Sequence, residues 1–221
     1  LPGEHRKPVI GIAGGIGSGK SSVARLFAGL GAAIIDSDEL SHEQLLVADV
    51  RRQIRAWWGD SVFLPDGSVD RGALARIVFR DPAALTQLEG LLYPRIEARR
   101  VELMAAMDRD PAVRAIIIDA PKLFEVGLDR RCDAVVFVEA DRAIRIERVS
   151  RGRGWSPQEL DRRENLQIPL DRKRSRADYI VVNNSTVDEL RPDVERILAS
   201  VQAAADASHG GESSAGGQTS A

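Results

Sequence analysis

Residues 14–21, Gly-Gly-Ile-Gly-Ser-Gly-Lys-Ser, follow the apolar run VIGIAG and precede SSVARLFAGL, whose apolar positions recur at helical spacing. A strand, a glycine-rich turn and a helix in that order leave few folds open to a chain. The turn fits G-x-x-x-x-G-K-[ST] without a mismatch. Phosphate oxygens can crowd such a turn only where side chains do not block the backbone N–H groups, and the following helix adds its positive end. Gly14, Gly15, Ile16, Gly17, Ser18, Gly19, Lys20, Ser21 and Ser22 are therefore expected to line a nucleoside triphosphate. Lys20 can reach the β- and γ-phosphates, and Ser21 can offer its hydroxyl to Mg²⁺. A purely structural turn would explain the glycines but not the lysine and serine after them.

Four further apolar, β-rich runs lie at about 32–38, 113–121, 133–140 and 177–184, with helical patterns between them. Near-continuous apolar runs suit strands buried on both faces. The expected fold is α/β: a five-stranded parallel sheet flanked by helices, with the second strand beside the first. The nucleotide-binding core is expected from 9–38, 113–139 and 175–201. An insertion at 39–112 carries helical periodicity, and Asp81-Pro82 reads as an N-cap followed by proline at the first helical position. A second insertion, 140–174, is rich in arginine, and its SPQE (156–159) is a helix start. Residues 203–221, low in complexity, are expected to be disordered, and the opening LPGEHRKP loose. The chain has 221 residues, 43% apolar and 29% charged, ordinary for a globular enzyme. A net charge of −2 gives no general attraction to nucleic acid, and no apolar run is long enough for a membrane span. The single cysteine, Cys132, excludes an internal disulfide and suits a reducing cytoplasm. It is expected as a small residue at least half-buried.

An N-K-x-D guanine-recognition motif is absent, which disfavours a GTPase. The run 32–38 ends in DSD, placing Asp36 and Asp38 at the carboxyl end of the sheet, where ligands of such folds bind. On an extended segment the two side chains share a direction. Either can accept a proton from an incoming hydroxyl or hold a magnesium-bound water, and either can instead cap the next helix; Asp38 is the favoured catalytic group. Asp119 ends AIIID, the usual place of an acid that helps hold Mg²⁺. Arg142, Arg145, Arg148 and Arg151 recur every third residue and wind around one helix, so not all can face one ligand. Arg148 is the first choice for closing over the triphosphate, and Glu147 can pair with Arg151. The three histidines are scattered, with His42 expected on a helix surface. At least one of Trp57 and Trp58 is expected in the core.

Several stretches together resemble the dephospho-CoA kinases, from about Val9 to Val201. GIAGGIGSGKSSVARLFAGLGAAIIDSDELSHE resembles their phosphate loop and the aspartates after it. FLPDGSVDRGALARIVFRDPAALTQLEGLLYPRI, DAPKLFEVGLDRRCDAVVFVEA and NLQIPLDRKRSRADYIVVNNST are similar to their later signatures, in the same order. The resemblance implies transfer of the ATP γ-phosphoryl group to the ribose 3′-hydroxyl of dephospho-CoA, the last step of coenzyme A synthesis. It implies a helical CoA-binding region at 39–112 and a mobile lid at 140–174. Asp38 matches the family's acid near the accepting hydroxyl, and Asn183 falls in its nucleotide-base region. The chain departs from the pattern at Tyr93, where histidine is usual, at Lys122, where leucine is usual, and at Gly152, where arginine is common. Lys122 is adjacent to the expected site and can touch substrate phosphates. A kinase for a nucleoside or other small alcohol is the nearest rival. An ATP-binding regulator leaves the lid arginines and the paired carboxylates unexplained.

Overall fold

The computed structural model describes residues 7–210, with side chains to 207. Its elements run β1 (Val9–Gly14), α1 (Lys20–Gly29), β2 (Ala32–Asp36), α2 (Ser37–Leu46), α3 (Ala48–Trp58), α4 (Arg71–Val78), α5 (Pro82–Arg109), β3 (Ala115–Asp119), β4 (Ala134–Glu139), α6 (Arg142–Arg153), α7 (Pro157–Glu164), α8 (Leu170–Ser175), β5 (Tyr179–Val182) and α9 (Arg191–Gly210). Among the described residues, one compact unit takes 7–35 and 106–210, and a second takes Asp36–Ala105.

The first unit is built on a five-stranded parallel sheet ordered β2-β3-β1-β4-β5. The expectation that the second strand lies beside the first is corrected: β3 stands between them. Burial explains the order. Every residue of β1 and β3 is buried, as central strands require, whereas β2 alternates into half-exposed positions and takes an edge. On one face α1 and α9 cover the sheet, with Val23, Phe27, Val194, Ile197 and Leu198 packed on Ile10, Ile12, Ile117 and Val136. Cys132 is buried behind β1.

The expectation that 203–221 is disordered is corrected for 203–210. The helix α9 continues through 203–210, because its alanine-rich stretch has high helix propensity and no glycine interrupts it before Gly210. The opening up to residue 6 and the tail from 211, with His5, lie outside the described residues.

The second unit is helical, with one isolated bridge between Phe63 and Val69. Its helices start where polar caps dictate. Asp70 Oδ1 accepts from the N–H groups of Gly72 and Ala73 at 2.9 and 3.0 Å, opening α4. Asp81 Oδ1 accepts from Ala83 N–H at 2.8 Å ahead of Pro82, opening α5. Trp57 and Trp58 meet edge to face at 5.3 Å, and both are half-buried, so the expectation that one lies in the core is corrected. No helix among the described residues is long and apolar enough to cross a membrane.

Candidate active site

The site is built from the first unit, where β1 ends and the chain turns through 15–19 into α1. Gly19 opens α1 with φ of +89°, a left-handed conformation that costs glycine nothing. A Cβ there would stand 2.1 Å from Asn183 Nδ2, so the turn is fixed by packing from behind as well. Lys20 Nζ donates to the carbonyls of Gly14 and Gly15 at 3.2 and 3.0 Å, which holds the ammonium over the turn. Ser18 is fully buried.

Ser21 and Asp119, read separately from two distant stretches, are brought together. The Ser21 hydroxyl donates to Asp119 Oδ2 at 2.9 Å, with Asp119 buried at the end of β3. A hydroxyl and a carboxylate are hard oxygen donors, the set that Mg²⁺ prefers. Ser22 lies one residue on, its hydroxyl accepting from Arg25 at 3.2 Å. Lys122 is half-buried in the turn after β3.

The arginine series divides as a helix requires. Arg142 and Arg151 are exposed and pair with Asp161 and Glu147, both at 2.8 Å, while Arg145 is buried and Arg148 half-buried. Arg148 Nη1 donates to Ser18 O at 3.2 Å and reaches Gly17 O at 3.5 Å, and Nη2 donates to Asn183 Oδ1 at 3.1 Å. Asn183 Nδ2 donates to the same Ser18 carbonyl at 2.8 Å. With 2% exposure, Asn183 has both polar atoms engaged by the loop and Arg148, so its side chain braces the turn from β5.

Asp36 and Asp38 belong to the second unit. The expectation that they share a direction on extended backbone is corrected: Asp36 is the last residue of β2 and Asp38 is in the first turn of α2. Asp36 Oδ1 accepts from Asp38 N–H at 2.8 Å and Glu39 N–H at 3.2 Å, so the helix cap is Asp36. In the same unit the buried Arg100 pairs with Glu97 and reaches the Ser37 hydroxyl at 3.5 Å, holding that first turn. His42 and Tyr93 are exposed on their helices, the latter donating to Glu89 at 2.7 Å.

Two buried pairs escaped the sequence reading. Lys173, 1% exposed, donates to Glu125 at 2.8 Å, to Gln167 at 2.9 Å and to Pro121 O at 3.4 Å. Arg145 pairs with Glu164 beside the phosphate loop. Their partners lie far apart in the chain, beyond any local periodicity. Only the likeness of the stretches containing Glu125, Gln167 and Lys173 to family signatures hinted at the first pair.

Burial pushes the Glu125 carboxyl up, but the Lys173 ammonium and the Ile168 N–H outweigh it and hold the group below its usual 4.5. A lowered folded value stabilises the protein above the unfolded value, and that stability is lost as pH falls through the folded one. Glu125→Gln is therefore expected to cost about 3–5 kcal/mol at pH 7, because Lys173 stays buried without its counter-charge. Thermal melts at pH 7 and pH 4 check this, with the gap to the parent narrowing in acid.

The model of the Dephospho-CoA kinase family matches residues 8–189. The chain belongs to the dephospho-CoA kinase family. It is 38% identical over 192 residues to the dephospho-CoA kinase of Geobacter sulfurreducens, covering 86% of this chain and 97% of the relative. It is 39% identical over 212 residues to that of Symbiobacterium thermophilum, covering 94% and 85%. A crystal structure of a Thermus thermophilus protein superposes with a TM-score of 0.74 at 33% identity, covering 88% of this chain and 97% of that one. The dephospho-CoA kinase from Campylobacter jejuni, 21% identical, shares the fold with a TM-score of 0.65 over 90% of this chain and 98% of that one.

Proposed function

We propose that this family member transfers the γ-phosphoryl group of ATP to the ribose 3′-hydroxyl of dephospho-CoA, giving coenzyme A and ADP. The observation that carries the reading is the phosphate loop with its Ser21–Asp119 pair. A loop, a lysine and a hydroxyl–carboxylate pair are what phosphoryl transfer from a nucleotide needs, since catalysis there is positioning and charge neutralisation. Family membership supports dephospho-CoA as the acceptor.

In this reading Lys20 exchanges the Gly14 and Gly15 carbonyls for the β- and γ-phosphate oxygens. Ser21 and Asp119 would hold Mg²⁺, which when bound would neutralise charge on the phosphate oxygens. Asp38 orients the ribose hydroxyl and accepts its proton. The region 39–112 takes dephospho-CoA, and 140–174 closes over ATP as a lid, with Lys122 contacting substrate phosphate.

Arg148 steadies the loop and the transferring group with its planar fork. Arg148→Lys keeps the charge but loses the fork that spans the Ser18 carbonyl and Asn183. The expected outcome is a fall in kcat of about tenfold or more, with ATP affinity changed less. A change confined to ATP affinity would assign Arg148 to the ground state alone.

The function is tested by following ATP consumption with dephospho-CoA, with a panel of nucleosides and with no acceptor. Rapid turnover only with dephospho-CoA is expected. Comparable rates with nucleosides favour the small-alcohol kinase, and none with any acceptor favours an ATP-binding regulator.

A further inference from the structure

Beside the phosphate loop, two anion donors meet on one internal oxygen. Glu164 Oε1 accepts from the Ile16 backbone N–H at 3.2 Å and from Arg145 Nη1. Arg145 is 6% exposed, and its Nε donates to Ala140 O at 3.2 Å, which fixes the guanidinium in place. Its Nη1 also lies 3.5 Å from Ile16 O. A Cβ on Gly15 would meet Arg145 Nη1 at 3.1 Å and Glu164 Oε1 at 3.2 Å, so both charged groups press against the loop itself. A loop N–H and a buried guanidinium converging on one oxygen are the donors that a phosphate oxygen takes. Glu164 is the last residue of α7, and its carboxylate takes both donors at that position, with Leu170 Cδ1 3.2 Å from the same Gly15 point.

We infer that Arg145 is a second phosphate-binding arginine, and that the Glu164 carboxylate occupies its anion position until polyphosphate displaces it. This rests on the loop's reading as a polyphosphate site. It also gives the chain a second arginine where the family pattern has one and this sequence has Gly152. Arg145 is positioned by α6, one turn before Arg148, so the two guanidinium groups flank the loop at Ile16 and at Ser18. Displacing Glu164 costs binding energy, because the competent arrangement is then only a fraction of the nucleotide-free population. Removing the carboxylate's charge removes that cost.

The test is calorimetric titration of the full chain with inorganic tripolyphosphate, with a non-hydrolysable ATP analogue, and with AMP as a control. Glu164→Gln keeps the size and an acceptor oxygen but not the charge. It is expected to tighten tripolyphosphate and the analogue by about fivefold or more while leaving AMP unchanged. Arg145→Gln is expected to weaken both polyphosphates by about tenfold or more, and the double variant to show no gain from the Glu164 change. Unchanged or weakened polyphosphate binding in Glu164→Gln, with the thermal midpoint retained, overturns the inference and makes the pair a brace. If the midpoint falls, Glu164→Asp, which keeps the charge on a shorter stem, decides. Tighter polyphosphate binding there, as the shorter stem loosens its hold on Arg145, supports the inference, and parent-like or weakened binding overturns it. The reading itself fails separately, if the parent chain binds no tripolyphosphate or does not phosphorylate dephospho-CoA.

Discussion

Asp38→Asn is expected to lower turnover by about a hundredfold or more while ATP binding stays near that of the parent chain. Asp36, not Asp38, caps α2, with its Oδ1 on the N–H groups of Asp38 and Glu39. Asparagine at position 38 therefore leaves the Asp36 cap in place while removing a charge and a proton acceptor. General-base action is typically worth about 10²–10⁴ in rate, which sets the size of the loss. The control is Asp36→Asn, expected to be mild because asparagine and aspartate cap comparably well. Steady-state turnover and calorimetric ATP binding on the two variants separate the roles. Turnover within a few-fold of the parent for Asp38→Asn, with a large loss for Asp36→Asn, would move the acid to Asp36.

Lys20→Ala is expected to cut kcat by about 10²–10³ or more and to weaken ATP binding as well. The ammonium rests on the Gly14 and Gly15 carbonyls, within the turn proposed to take the triphosphate, where it is placed to pass to phosphate oxygens. The loop has supports besides Lys20: Gly19 takes its left-handed conformation with Asn183 packed behind, and Arg148 and Asn183 both bond Ser18 O. The thermal midpoint of the variant should therefore stay close to that of the parent. Near-normal turnover at saturating ATP would remove Lys20 from the mechanism.

The parts of this site that can be read along one stretch of chain were legible. The strand VIGIAG ends where the glycines begin, and β1 spans the same residues, because apolar continuity and turn chemistry agree there. Asp119 was legible as the end of an apolar run, and Ser21 as part of a motif. Their hydrogen bond depends on β3 lying directly beside β1, a neighbour relation the chain order hides. The same relation misled the placement of β2, whose half-exposed positions mark it as an edge only once the sheet is assembled. Asp36 and Asp38, with Asp38 the favoured acid, were read as sharing a direction on an extended segment, yet helix α2 begins between them and makes Asp36 its cap. Neither Lys173–Glu125 nor Arg145–Glu164 could be read from spacing, because burial makes each pair. In α9, alanine propensity carried the helix past the boundary that composition suggested.

The central claim is the identity of the accepting atom, and product analysis tests it most directly. Incubation of the chain with ATP, Mg²⁺ and dephospho-CoA, followed by mass and phosphorus magnetic-resonance analysis, should give one product heavier by a single phosphoryl group. That group should reside as a monoester on the ribose 3′-oxygen, with one ADP formed for each. ADP formed with inorganic phosphate and unmodified dephospho-CoA, or a phosphoryl group on any other oxygen, would contradict it.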